Sequence, residues 1–102
     1  MTSIERITYM EECLDVSRMA VDALANALDE YIGVQGRMRE LAGYYGSDDR
    51  KNDFADDEAG RLPPELKRGV LSEDAVYDLL NDNREIIDDM AGIIREQEAL
   101  RI

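Results

Sequence analysis

The sequence predicts an all-α protein, and three observations carry that expectation. Apolar residues recur at three- and four-residue spacing over two long stretches, 7–45 and 76–100. Helix start signals stand ahead of both, at Thr2–Glu5 and at Ser72. Nothing reads as a strand, because β-branched residues fall at helical spacing and no alternating segment adjoins a hairpin turn. With 102 residues, 44% of them hydrophobic, one domain over 1–102 is expected.

The first helix is predicted over about 3–43. Thr2 and Glu5 form a capping-box pattern, in which the Thr oxygen accepts an early backbone N–H and Glu5 reaches back to the cap. Ile7, Met10, Leu14, Val21, Leu24, Leu28, Tyr31, Met38, Ala42 and Tyr45 then occupy the a and d places of a heptad, interrupted by Ser17 and Gln35. Cys13, Ala20, Ala27, Val34 and Leu41 widen the seam, while Glu12, Asp15, Asp22 and Asp29 mark a solvated back. A bend or break is expected between Gly33 and Gly36.

A connector follows over 44–71. Gly43 and Gly46 flank Tyr44 and Tyr45 and are suited to a left-handed helix ending. Residues 47–61 contain one large apolar side chain, Phe54, and no period, so they read as an exposed loop pinned at that Phe. Pro63 and Pro64 suit entry to a helical turn over 64–68, with Gly69 at its exit. The second helix, about 73–100, has Ser72 as N-cap, Glu73 and Asp74 at its positive end, and Leu71 placed to staple onto Val76. Its seam is Val76, Leu79, Ile86, Met90, Ile93 and Leu100. The two helices can lie as an antiparallel hairpin, and stripes wider than a two-helix contact needs point to dimerisation into a four-helix bundle.

Charge and composition narrow the function. Against 24 acidic side chains stand 12 basic ones, and the net charge of −12 would repel phosphate backbones and anionic membranes. No apolar run is long enough for a membrane span and no leader pattern opens the chain; single Cys13 cannot form an intramolecular disulfide, so a reducing cytoplasm is the expected location. The absence of His removes Ser-His, Cys-His and His-metal chemistry, and single Cys13 reads as a small core residue. Glu11, Glu12 and Asp15, with Glu85 and Asp88, are spaced like the magnesium ligands of small all-α nucleoside triphosphate pyrophosphohydrolases, but the heptad register puts Glu12, Asp15 and Asp88 outside the seams. The acidic run beginning at Asp49 has Lys51 and Phe54 where a calcium loop needs an oxygen ligand and a Gly. No catalytic residue, metal or cofactor is assigned.

The middle of the chain is more particular than a connector requires. Tyr44-Tyr45-Gly46-Ser47, Asp53, Asp57-Glu58-Ala59-Gly60, Leu62-Pro63 and the run Leu66-Lys67-Arg68-Gly69-Val70-Leu71-Ser72-Glu73-Asp74-Ala75-Val76-Tyr77-Asp78-Leu79-Leu80 together resemble a bacterial family known as domain of unknown function 4298. The chain departs from the family pattern at Arg50 and Lys51, where a Trp is frequent, and at Phe54, where Tyr is more usual. The resemblance implies a small soluble helical protein and brings no activity with it. The candidate interaction residues are therefore Tyr44, Asp53, Asp57, Lys67, Arg68, Asp74 and Tyr77, read either as a recognition surface or as groups that lock the connector in place. The expected function is that of a non-catalytic protein-interaction or regulatory module with a protein partner. The alternative is an acidic mimic of nucleic acid that inhibits a nucleic-acid-binding enzyme, and a magnesium-dependent hydrolase comes third. The charge is −4 in each of the regions 1–45, 46–75 and 76–102, yet the middle one holds five of the twelve basic residues, as an internally paired surface would need.

Overall fold

The computed structural model describes residues 1–100. Every regular element among them is helical: α1 Ser3–Gly33, α2 Gln35–Tyr45, α3 Asp48–Glu58, a 3-10 turn Gly69–Leu71, and α4 Ala75–Leu100. The chain divides into two compact units, Met1–Met38 and Arg39–Ile102.

The first unit is built on α1. Thr2 caps it, its Oγ1 accepting the Glu5 N–H at 3.1 Å, and its hydroxyl meets the Glu5 carboxylate at 3.1 Å. The capping box thus closes through the hydroxyl, with Arg6 N–H donating to the Thr2 carbonyl at 2.9 Å. The helix stops at Gly33, and Val34 turns with φ −100° and ψ 0° before α2 begins. The break falls between Gly33 and Gly36, where helix propensity is weakest. Gln35, the polar residue interrupting the heptad, donates its side-chain amide to the Tyr31 carbonyl at 3.1 Å, supplying a partner where the backbone ladder changes. None of the α1 residues is buried: seam residues Ile7, Leu14 and Leu24 keep 59%, 60% and 63% of their surface exposed.

The second unit takes the C-terminal part of α2, α3, the 3-10 turn and α4. Residues 47–61, expected as a loop, are helical over 48–58. The correction has a local cause: Ser47 Oγ accepts the Arg50 N–H at 3.2 Å, Asp48 and Asp49 occupy the first turn, and together they satisfy and neutralise the helix start without any apolar stripe. The helix ends on Gly60, whose φ of +71° is left-handed. There Gly60 N–H bonds the Asp57 carbonyl at 3.1 Å and Arg61 N–H the Asp56 carbonyl at 3.0 Å, a Schellman ending. Gly43, by contrast, lies inside α2, and the positive-φ glycine is neither Gly43 nor Gly46.

The helical turn expected at 64–68 is displaced. Leu66 N–H closes a tight turn on the Pro63 carbonyl at 3.1 Å, and the short helix forms later, over Gly69–Leu71. That turn packs against both α3 and α4. Ser72 Oγ accepts the Ala75 N–H at 3.2 Å, but α4 begins at Ala75, two residues later than expected, with the Asp74 carbonyl accepting the Asp78 N–H at 2.7 Å, so Asp74 and not Ser72 stands at the cap position. Leu71 and Val76, the predicted staple pair, are the buried hydrophobic residues of the unit, at 7% and 3% exposure.

Candidate interaction surface

Arg50, Asp53, Phe54 and Asp57 recur at three- and four-residue spacing, so they share one face of α3. Three polar attachments join this face to its surroundings. Tyr44, at the end of α2, donates its hydroxyl to Asp53 Oδ2 at 2.7 Å. Arg50 donates from Nε to the Val70 carbonyl at 3.2 Å and from Nη2 to the Ser72 carbonyl at 3.0 Å, and its guanidinium lies 4.7 Å from the centre of the Tyr45 ring. Asp57 pairs with Arg68, whose remaining N–H groups hold the carbonyls of Pro63 and Leu66. Beside these, Arg61 pairs with Asp56 at 3.1 Å across the helix ending.

The two arginines answer a need of the irregular backbone. Residues 61–74 follow a helix end, two prolines and a single 3-10 turn, so few of their carbonyls have regular partners. A planar guanidinium with several donors suits that task better than an ammonium would. The Tyr44 bond has an electrostatic consequence. Donation to the Asp53 carboxylate, aided by partial burial and by the same negative charge, raises the Tyr44 pKa above the ordinary tyrosine value, so the phenol is a fixed donor and a poor acid.

Tyr44, Asp53, Lys67 and Arg68 come together around one pocket of about 270 Å³, with Leu66 and Leu71 among its apolar walls. Asp57 belongs to the same cluster through Arg68. Asp74 and Tyr77 do not line it: Asp74 is exposed and contributes its backbone carbonyl to the Asp78 N–H at 2.7 Å, and Tyr77 is 59% exposed on α4. A second pocket, of about 430 Å³, lies between Leu41 of α2, Val70, and Val76 and Leu79 of α4. Glu11, Glu12 and Asp15 are exposed on α1, and Glu85 and Asp88 are exposed on α4.

Two residues outside the expected set prove central, Ser47 and Arg50. Ser47 was legible as a cap, because Ser-Asp-Asp is a strong helix-start sequence. Arg50 carried no such signal: its partners are main-chain carbonyls 20 and 22 residues onward, and carbonyls are common to all residues.

A family model described as domain of unknown function (DUF4298) matches residues 7–93. No curated protein and no solved structure matches the chain.

Proposed function

We propose that this chain, which belongs to the DUF4298 family, is a non-catalytic protein-interaction module that works as a dimer. The observation supporting this reading is the uncovered seam of α1. Ile7, Met10, Leu14, Val21, Leu24 and Leu28 form one heptad stripe and keep between 42% and 63% of their surface exposed. Covering what remains of each is worth about 1 kcal/mol per side chain. A single helix has no interior of its own, so the stripe calls for a partner. The proposed arrangement is an antiparallel hairpin of the two long helical stretches, about 3–43 and 73–100, doubled by dimerisation into a four-helix bundle.

Nucleic-acid mimicry has less support. A mimic needs free carboxylates in rows, and on α3 Asp53 and Asp57 are taken up by Tyr44 and Arg68. Light scattering at micromolar concentration tests the proposed reading. The wild-type chain is expected to scatter as two copies, and Leu14→Glu combined with Leu24→Glu as one. A one-chain mass for the wild type would overturn it.

A further inference from the structure

The back of α1 is not uniformly polar. Tyr9, Val16, Met19 and Ala23 recur at three-, four- and seven-residue spacing, so they form a second apolar stripe beside the heptad seam. Tyr9, Val16 and Met19 are 53%, 64% and 72% exposed. With Ile7 and Met10 at the a and d places, this stripe falls at c and f, positions that a bundle closed on a and d turns outward. The proposed dimer leaves it uncovered.

The border of the stripe is acidic. Glu12 stands four residues before Val16, and Asp15 and Asp22 stand four before and three after Met19, so each carboxylate is the helix-surface neighbour of an apolar side chain. Asp22 meets Arg18 at 3.6 Å, whereas Glu12 and Asp15 are exposed and make no ion pair among the described residues. Over its whole length α1 holds seven carboxylates and two arginines. This charge decides between occupants. A second copy seated on the same face would bring like carboxylates together, which is costly in a self-complementary contact. A cationic helix is attracted by the field of the chain, covers the stripe with its own apolar residues, and brings counter-charges to Glu12 and Asp15.

We propose that this face of α1 docks a basic amphipathic helix of another protein, its apolar residues lying along Tyr9, Val16 and Met19 and its Lys or Arg side chains pairing with Glu12 and Asp15. The proposal rests on the interaction-module reading and adds the chemistry of the partner, on a face other than the seam assigned to the dimer.

The test uses three synthetic amphipathic peptides: one with Leu on one face and flanking Lys, one with Glu in place of each Lys, and one with Ser in place of each Leu. Each is titrated into the full chain, with binding read by fluorescence anisotropy and by the methyl resonances of Val16 and Met19. The Lys peptide is expected to shift those methyls and to bind more tightly than either of the others. An exposed ion pair is worth up to about fivefold in affinity, so Glu12→Gln combined with Asp15→Asn should weaken the Lys peptide by roughly five- to twentyfold. Val16→Ala combined with Met19→Ala keeps good helix formers on α1 and should weaken it by about tenfold. Light scattering of both double variants should give the wild-type mass, which separates this face from self-association. Equal binding of the Ser peptide, a preference for the Glu peptide, methyls that stay in place, or an affinity unchanged in either double variant would each overturn the proposal.

Discussion

Replacing Arg50 with Ala sets local helix energetics against tertiary structure, and the two predict opposite signs. Arg50 is the third residue of α3, where the positive end of the helix dipole disfavours a cation by about 0.3–1 kcal/mol. Ala is also a slightly better helix former. From α3 alone, Arg50→Ala should therefore stabilise by roughly 0.5 kcal/mol. The tertiary ledger is larger. Two charge-assisted bonds to the Val70 and Ser72 carbonyls are each worth about 1.5–3 kcal/mol when buried; in this half-exposed setting about 0.5–1 kcal/mol apiece is the appropriate scale. The guanidinium over Tyr45 adds about 0.5–1 kcal/mol. The net expectation is a loss of about 1.5 kcal/mol, or a melting temperature lower by roughly 6–12 °C for a unit of this size. Arg50→Lys keeps the charge and loses the planar fork, and should fall about midway. The assay is urea and thermal unfolding followed by far-ultraviolet circular dichroism and tyrosine fluorescence, at one protein concentration. An Arg50→Ala variant as stable as the wild type, or more so, would refute the idea that α3 is held through this side chain.

Two further outcomes follow from the same region. Tyr44→Phe removes the donor to Asp53 and should lower stability at neutral pH; in the wild type this contribution is present below the unfolded tyrosine pKa near 10 and is lost as pH rises through the raised folded value, because the unfolded state gives up the proton first. Alkaline unfolding monitored by tyrosinate absorbance should show the variant's smaller loss of stability over that range. Gly60→Ala meets no atom within 4 Å but must hold φ at +71°, so it should destabilise by about 1 kcal/mol through backbone strain alone, measured by urea unfolding, whereas Gly43→Ala, inside α2, should stabilise slightly.

The class of the fold was legible because helices announce themselves locally. The Thr2 cap, the break between Gly33 and Gly36 and the burial of Leu71 with Val76 each depend on residues within a few positions, and each is found where its residues stand, while the second long helix starts two residues beyond its expected place. The segment 48–58 shows where such reading falls short. It has no apolar period, but a helix needs that period only to bury a face, and α3 is attached by Arg50, Asp53 and Asp57 through polar groups. Its start signal at Ser47 was present and its Schellman glycine stood at Gly60, so the ends were written in the sequence while the reason for the middle was not.

By itself the sequence determined the helical class, the caps, the place of the break and the −12 charge with its mixed middle, since these follow from residue type and short-range spacing. Tertiary structure alone decided which charges of that middle are spent. Asp57 could have met any of five nearby cations, and the backbone between Gly60 and Ser72 brings Arg68 to it, leads Arg50 to two carbonyls and leaves Lys67 beside an apolar groove. Ion pairing depends on distances of a few ångströms set by turns, and charge counts along a chain carry no such distances.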